Sequence, residues 1–481
     1  MKIKSKRPSW LLFSLIIGAA SILITGVASG AKNQSELSAS TDTYLPFAVN
    51  NYPWITPFGA QVSDFSDPAE TTLAKDAGLH WARIDAFHWS KIEPQNTNAA
   101  GYNWSAVDET SLITASENGI NVIGIIRSTP DWAQKIQPYT CGAVSEAAMP
   151  EFVNFVRDLV KRYSVPPFNV KHWEIWNEPD IVYSPELGFN SVFGCWGDTS
   201  QTYYGGVYYG EMLNVIYPAI KSADPKAQVG IGGLLLDCDP THDNSCHSGL
   251  FLEGIIRKTG IQERGDNFDF ISYHGYAPYA GPSGGLSLDE NNPKWQHRGG
   301  VVLGKLDYIR HVMGKYGLDK PVFHTEGALI CPEYNPTLCD PPGSDFFEAQ
   351  ADYVVWLYVR NWAHDVDVTI WYQFQGPGWR YGGLLDGTQS PKPAYNALKF
   401  LTQELNSSTY TGRVLENTDV AGYQFSKNDM RVWVLWSPDE NPHTVSLPTN
   451  AMRAFDKYGV EIPITANQIT VNSPVYIELP R

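Results

Sequence analysis

One stretch of the chain decides the fold: HWEIWNEPD, at residues 172–180. Its apolar residues are typical of a short buried strand, and this strand ends in an Asn–Glu pair. Pro179 follows Glu178 at once, and proline cannot continue a strand ladder because it has no N–H to donate. The stretch therefore predicts a strand that stops at Glu178 and a chain that leaves the sheet there.

Seven further apolar runs of similar length accompany this strand, and each precedes a stretch that could form a helix. They begin at Phe58, His80, Asn121, Gln228, Phe268, Pro321 and Val368. Alternation of strand and helix predicts a parallel sheet. Eight such units within residues 46–406 fit a closed (β/α)8 barrel, or TIM barrel, better than an open doubly wound sheet. The predicted fold class is α/β.

The pattern changes after Asn406. Short alternating runs separated by turn residues predict a small C-terminal antiparallel β-sandwich domain at residues 409–481. The runs begin at Val420, Met430, Thr444, Ile469 and Val475. This segment contains no cluster of catalytic residue types, so we expect it to pack against the barrel, with sugar binding as the alternative.

The N-terminal residues 1–31 have the pattern of a secretory signal peptide, in which basic residues precede an apolar run from Trp10 to Val27. The run is long for a cleaved signal, so an uncleaved membrane anchor is the alternative. Residues 32–45 are polar and rich in Ser and Thr, as in a solvated linker. We therefore predict a protein that is secreted, or anchored on the outer face of the membrane.

Charge and composition narrow the expected partners. The net charge of −16 repels a phosphate backbone, so nucleic acid is not expected to bind. No Gly-rich phosphate loop follows the first strand, which argues against a dinucleotide-binding fold. The 16 Trp residues suit core packing and, in part, contact with the faces of sugar rings.

Six cysteines in an exported chain favour disulfides. Their spacing predicts the pairs Cys141–Cys195, Cys238–Cys246 and Cys331–Cys339. A metal site is the alternative, but no CxxC spacing supports it. We expect no metal and no cofactor.

Two acidic residues end barrel strands, where barrel enzymes place their reactive groups. Glu178 ends the fourth strand, and Glu326 ends the seventh in PVFHTEGAL. Hydrolysis of an acetal with retention needs one carboxyl group to protonate the leaving oxygen and a second, about 5 to 5.5 Å away, to attack the anomeric carbon. Strands four and seven face each other across a barrel of this size, which allows that separation. The alternative for either Glu is an ion pair with a basic residue.

The motifs WEIWNEP on a fourth strand and a Glu at the end of a seventh resemble clan A of the barrel glycoside hydrolases, over most of the barrel. DFISYHGY on the sixth strand is similar to family 39, the β-xylosidase and iduronidase family, with the family 5 endoglycanases as the rival. The seventh-strand context HTEGAL departs from the family 39 pattern.

The resemblance implies that Glu178 is the acid/base, that Glu326 is the nucleophile, and that Asn177 donates to the 2-hydroxyl of the sugar. It also implies that Arg83 hydrogen-bonds the nucleophile and keeps it ionised. A structural salt bridge from Arg83 to Glu174 is the alternative.

Further residues are candidates for contact with the substrate. His274 and Tyr276 end the sixth strand and are expected to orient Glu326 or touch the sugar, although His274 could instead be a satisfied core histidine. Trp371 resembles the clan tryptophan that stacks on the sugar in the −1 subsite, with core packing as the alternative. Four tryptophans in predicted loops could form further subsites. They are Trp132, Trp196, Trp295 and Trp379.

The expected activity is that of a retaining O-glycoside hydrolase that cleaves β-glycosidic bonds, with a polysaccharide or oligosaccharide as the substrate. A catalytically silent carbohydrate-binding barrel is one alternative. A transglycosylase with the same residues, which excludes water from the intermediate, is another.

Overall fold

The computed structural model describes residues 56–185, 191–259, 267–281, 289–333, 335–339 and 341–481. The predicted signal peptide at 1–31, the linker at 32–45 and the first part of the predicted barrel at 46–55 lie outside the described residues. In the described part of the chain, no helix is both long and apolar enough to cross a membrane.

Eight parallel strands close into a barrel. Their bounds are β1 Phe58–Gln61, β2 Trp81–His88, β3 Asn121–Arg127, β4 His172–Asn177, β5 Gln228–Leu234, β6 Phe270–His274, β7 Val322–Gly327 and β8 Val368–Trp371. Each strand pairs with the next one along the chain, and β8 pairs with β1 to complete the circle. All eight predicted strands, and the predicted (β/α)8 fold class, are confirmed.

Helices follow the strands and cover the barrel. Within the described ranges they are α1 Pro68–Asp76, α2 Trp89–Ile92, α3 Glu109–Glu117, α4 Met149–Tyr163, α5 Gly206–Ala223, α6 Leu250–Lys258, α7 Val301–Lys315, α8 Ser344–Ala363 and α9 Pro393–Leu405. Helix α4 shows how the sequence directs the packing. Its apolar residues recur at helical spacing, and Phe152, Phe155, Val156 and Leu159 are fully buried against the sheet.

Side chains fill the lower part of the barrel interior. This layer contains Trp81, Ile123, Phe270, Phe323, Val368 and Ile370. His172 on β4 packs among these rings, with its ring centroid 4.8 Å from that of Trp81. Because successive strand residues alternate between two faces, the interior residues two positions further along β2 and β4 are Arg83 and Glu174. The packed layer therefore supports the polar groups above it.

The C-terminal segment is antiparallel. Its strands are β9 Thr409–Arg413, β10 Ala421–Lys427, β11 Met430–Trp436, β12 His443–Ser446, β13 Arg453–Asp456, β14 Glu461–Ile462, β15 Gln468–Val471 and β16 Val475–Pro480. Six of them form one sheet in the order β9-β10-β11-β16-β13-β14, and β12 pairs with β15. The predicted sandwich is confirmed as a fold class, and the sequence analysis missed β9, β13 and β14.

This sandwich packs against helix α8 of the barrel. Trp356 stacks on Trp436 with ring centroids 5.6 Å apart, and Trp362 lies 5.0 Å from Phe425. The described residues of the barrel and the sandwich accordingly belong to one compact unit. The boundaries 46–406 and 409–481 stay predictions.

The three predicted disulfides are confirmed. They are Cys141–Cys195, Cys238–Cys246 and Cys331–Cys339. All six cysteines lie in connections that follow the carboxyl ends of β3, β4, β5 and β7. The bridges therefore lie on the barrel face where the strands end.

Candidate active site

The end of β4 departs from regular strand geometry. Trp176 has φ +74° and Glu178 has φ +47°, the left-handed region that residues other than glycine rarely adopt. The indole of Trp176 turns outward and donates to the carbonyl of Cys141 at 2.8 Å, while the amide of Glu178 donates to the carbonyl of Gly233 at 2.9 Å. These bonds hold a strained backbone in place, a feature that is common at functional sites.

A β-bulge directs Glu326. The β6–β7 register pairs Tyr273 with His324 but His274 with Glu326, so β7 contains one extra residue. In a regular strand Glu326 would share the face of His324, which contacts helix α8 outside the barrel. The extra residue, Thr325, returns the Glu326 side chain to the barrel interior.

The two carboxyl groups meet His274. One oxygen of Glu178, one oxygen of Glu326 and one ring nitrogen of His274 all lie within 4.8 Å of one another. His274 Nδ1 is 2.8 Å from Glu178 Oε1 and 3.4 Å from Glu326 Oε2. Glu178 is 3% exposed and Glu326 is 7% exposed. The structure thus brings these three predicted residues together in a nearly closed space.

Glycine is required behind the imidazole. His274 is fully buried, and a Cβ added at Gly233 would lie 2.0 Å from its Nε2 atom. Burial lowers the pKa of His274 well below its usual value, and the nearby Arg83, His324 and Lys305 lower it further. His274 is therefore a neutral hydrogen-bonding partner of Glu178.

Arg83 joins the polar groups of β2, β4 and β7. Its guanidinium donates to Glu326 Oε1 at 2.5 Å and to Glu174 Oε1 at 2.6 Å. It also donates to Asn177 Oδ1 at 2.6 Å and to Gln61 Oε1 at 3.0 Å. Arg83 therefore bonds to Glu326 and also forms the salt bridge with Glu174 that was the alternative, because its planar guanidinium group reaches both carboxylates.

Tyr276 adds a second donor to Glu326, since its hydroxyl group donates to Glu326 Oε2. The ring of Tyr276 lies edge-on to Tyr372 at 5.8 Å and to Trp379 at 5.1 Å. Tyr276 thus connects Glu326 to an aromatic cluster that it forms with Tyr372 and Trp379.

The surroundings of the two carboxyl groups differ. Burial raises the pKa of Glu178 well above its usual value, and the charges of Glu326 and Asp180 raise it further. Burial also raises the pKa of Glu326, but Arg83 and Tyr276 oppose this by stabilising its charged form. These surroundings raise the pKa of Glu178 more strongly than that of Glu326.

The structure places Trp371 in the core, which corrects the expectation that it stacks on a sugar. It is fully buried and donates through Nε1 to the carbonyl of Gly382 at 2.8 Å. Val368 and Ile370 face the barrel interior, so alternation turns Trp371 toward the helices. The next interior residue is Tyr372, which is partly exposed and contacts Tyr276.

The four loop tryptophans separate by exposure. Trp196 and Trp295 are buried, and Trp132 is partly buried. Trp379 is 46% exposed and adjoins Tyr276. The sequence alone does not distinguish these four residues, because exposure depends on how the loops pack.

Glu178, His274 and Glu326 also form the group that could hold a metal ion within the described residues. Two carboxylates and an imidazole are ligands that zinc accepts. Glu326, however, already forms an ion pair with the charged Arg83, which would repel a metal cation bound beside it. We assign no metal to these residues, and the predicted lack of one stays a prediction.

No protein-family model matches the chain, and no curated protein matches it in sequence. Solved structures do. A family 39 glycoside hydrolase from the gut symbiont Bacteroides cellulosilyticus WH2 aligns with a TM-score of 0.62 and 19% identity, over 88% of this chain and 81% of that chain. A conserved exported protein from Bacteroides fragilis aligns with a TM-score of 0.61 and 13% identity, over 89% and 98%.

A family 51 α-L-arabinofuranosidase from Bifidobacterium longum aligns with a TM-score of 0.56 and 12% identity, over 89% of this chain and 96% of that chain. At these identities the likeness shows the fold. The chain shares the (β/α)8 barrel fold of these solved structures, so the resemblance inferred from WEIWNEP is confirmed at the level of the fold.

Proposed function

We propose that this protein is a retaining glycoside hydrolase that cleaves β-glycosidic bonds in polysaccharides or oligosaccharides by double displacement. The observation that carries the proposal is the pair Glu178 and Glu326, whose carboxyl oxygens approach within 4.8 Å. Retaining enzymes hold their carboxyl groups about 5 to 5.5 Å apart, whereas inverting enzymes leave about 6.5 to 9.5 Å for a water molecule. The short approach favours retention.

In the first step Glu326 attacks the anomeric carbon and the bond to the leaving oxygen breaks. Arg83 and Tyr276 hold the attacking carboxylate ionised and oriented. Glu178 gives its proton to the leaving oxygen. Its Oε2 atom is buried and has no hydrogen-bond partner among the described residues, so it is available for this transfer.

In the second step a water molecule breaks the ester between the sugar and Glu326, and Glu178 takes the proton of that water. The negative charge of Glu326 is one of the causes that raise the pKa of Glu178. Esterification removes this charge, so the pKa of Glu178 falls and the residue can act as a base.

Asn177 and Tyr372 are proposed to contact the sugar at the reacting centre. Asn177 accepts a bond from Arg83 and donates one N–H to the carbonyl of Val192 at 3.1 Å, which leaves one amide hydrogen for the 2-hydroxyl. Tyr372, the interior ring just beyond β8, is proposed to stack on the sugar, the role that was expected for Trp371.

Trp379 is proposed to bind a second sugar ring. Its loop is fixed from several sides: the carbonyl of Arg380 accepts from the amide of Cys331, and that of Tyr381 accepts from Lys392. Arg380 and Tyr381 both have positive φ, so the loop keeps a strained backbone while it exposes a large apolar ring. A substrate of more than one sugar unit would use that surface.

Export is proposed as well. Three disulfides form in the described structure, and such bonds persist in oxidising compartments. The signal-like segment at residues 1–31 supports the same conclusion from sequence. N-terminal sequencing of the protein from a culture supernatant would show cleavage near residue 31, and recovery with intact membranes would support the uncleaved anchor.

The proposed function is tested by the stereochemistry of the first product. Nitrophenyl β-glycosides of the xylo, gluco, manno and galacto series serve as substrates, and proton NMR follows the anomeric signal. We expect the β-anomer first. An initial α-anomer would contradict the assignment of Glu326 as nucleophile. Saturable sugar binding without turnover would support a silent binding barrel, and oligomeric products formed with an acceptor would support a transglycosylase.

A further inference from the structure

A buried lysine lies near the candidate acid/base. Lys305, on helix α7, is 5% exposed, and it forms no ion pair with a carboxylate in the described part of the chain. Its ammonium group donates to the carbonyl of His274 at 2.8 Å and to the carbonyl of Leu235. These two carbonyls belong to the carboxyl end of β6 and to the first residue beyond β5.

A buried carboxylate lies on the other side of the same backbone. Asp180 is 1% exposed and accepts the amide of Leu235 at 2.9 Å and the amide of Leu236 at 2.7 Å. The peptide group between Leu235 and Leu236 therefore accepts a hydrogen bond from Lys305 through its carbonyl and donates one to Asp180 through its N–H. Its dipole is aligned favourably with both charges.

These contacts form a closed ring of hydrogen bonds and chain connections, here called the circuit, that includes Glu178. Asp180 follows Glu178 by two residues, the peptide after Leu235 connects Asp180 to Lys305, and Lys305 bonds to His274. His274 Nδ1 returns to Glu178 Oε1. The circuit thus joins the strand ends of β4, β5 and β6 to one carboxyl group.

Packing alone does not account for such an arrangement. Each buried ion costs several kcal/mol of desolvation, and a direct ion pair or an apolar pair would avoid much of that cost. Here the two charges are kept apart by a peptide group, and each remains close enough to influence Glu178 electrostatically. The arrangement is costly for stability and suited to control of a nearby proton.

Several charged groups affect the pKa values of Glu178 and Lys305. Glu178 is influenced by Glu326 on β7, Asp180 beyond β4, Lys305 on α7 and Arg83 on β2. Lys305 is influenced by Asp180, Asp237, Glu178 and Lys294. Burial lowers the pKa of Lys305 to about 8 and raises that of Asp180 to about 6. Near neutral pH both are therefore largely charged.

We propose that Lys305 and Asp180 are positioning residues for Glu178, which fix the strand ends around it and set, with opposite signs, the field in which it holds its proton. The proposal rests on the acid/base role proposed above for Glu178. Neither residue touches the substrate in this scheme. Lys305 acts through His274 and through its charge, and Asp180 acts through the backbone beyond β5 and through its charge.

The experiment titrates Glu178 itself. Difference infrared spectroscopy follows the protonated carboxyl band that is absent from Glu178→Gln, across pH, in the full-length protein. The variants are Lys305→Met, Lys305→Arg and Asp180→Asn. The matched control is Lys315→Met, which removes an exposed cation from the same helix, where it pairs with Glu253 at 2.8 Å.

Opposite shifts are expected. Lys305→Met removes a cation and should raise the titration midpoint of Glu178 by about half a pH unit or more, whereas Asp180→Asn should lower it by a similar amount. Lys305→Arg and Lys315→Met should leave it near the wild-type value. The alkaline limb of the pH profile of kcat/KM on a nitrophenyl glycoside should move with the midpoint.

Several results would overturn the proposal. Folded Lys305→Met and Asp180→Asn proteins with an unmoved midpoint, or with shifts of the same sign, would show that the two charges do not set the proton of Glu178. Failure of both variants to fold, judged by circular dichroism, would show a purely structural role. A wild-type protein without glycosidase activity would contradict the proposed function, yet the infrared titration would still decide the role of Lys305 and Asp180.

Discussion

The hydroxyl group of Tyr276 offers a sharp test of the site, because it makes one contact with the candidate nucleophile and can be removed by Tyr276→Phe. Its O–H donates to Glu326 Oε2 and is among the causes that lower the pKa of that carboxyl group. A hydrogen bond to a charged group contributes about 1.5 to 3 kcal/mol. We therefore expect kcat/KM to fall by about 10- to 150-fold.

The pH dependence should change in a defined direction. Glu326 must be ionised to attack, so its pKa sets the acid limb of the kcat/KM profile. Loss of the Tyr276 hydroxyl group removes a stabiliser of the charged form, so the pKa rises and the acid limb moves to higher pH. A loss of about 1.4 kcal/mol corresponds to about one pH unit.

The assay is the hydrolysis of a nitrophenyl β-glycoside between pH 4 and 9, within about which range both limbs are expected. Tyr273→Phe is the matched control. Tyr273 lies on β6, three residues before Tyr276; it is fully buried, and its hydroxyl group has no hydrogen-bond partner in the described structure. The reasoning is refuted if Tyr276→Phe retains kcat/KM within about twofold and leaves the acid limb in place, or if the control behaves identically.

Trp379→Ala should lower kcat/KM for a hexasaccharide about tenfold, because ring stacking is lost, and should leave kcat/KM for a nitrophenyl monosaccharide unchanged. Trp379→Phe should retain most of the wild-type kcat/KM for the hexasaccharide. Equal losses on both substrates would contradict a remote subsite. Prolonged dialysis against EDTA should not change kcat, and recovery of lost activity on addition of zinc would contradict the metal-free mechanism. Removing the Cys141–Cys195 bond, with its sequence separation of 54, should lower the free energy of unfolding by about 4 kcal/mol. Removing Cys238–Cys246, with its separation of 8, should cost about 2.5 kcal/mol; chemical denaturation that gives the reverse order would contradict the loop-entropy argument.

Local patterns in the sequence were sufficient for the fold. Strand runs, helical periodicity and the Pro after Glu178 each act over a few residues, so the eight barrel strands and helix α4 could be predicted directly. Two of the disulfides close short loops, and their pairing left the third. The strands missed in the sandwich, such as β14 at Glu461–Ile462, are too short to show a period.

Side-chain direction at the strand ends was harder to predict. Alternation continued past Val368 and Ile370 identifies Tyr372, the first residue beyond β8, as the next interior residue in place of Trp371. The same rule fails at Glu326, where a bulge adds a residue, and beside Glu178, where Trp176 adopts a positive φ. Neither irregularity has a signature in a single sequence.

By itself the sequence determined the barrel, the sandwich, the cysteine pairs and the two carboxylates at strand ends, because each of these follows from short-range pattern and strand order. Three features depend on the tertiary structure: one oxygen of each carboxyl group lies within 4.8 Å of the other, Arg83 bonds to both Glu174 and Glu326, and Lys305 donates to the carbonyl of His274. The physical reason is that closure of the barrel brings together side chains far apart in the chain, and the position of each depends on how every strand between them is packed.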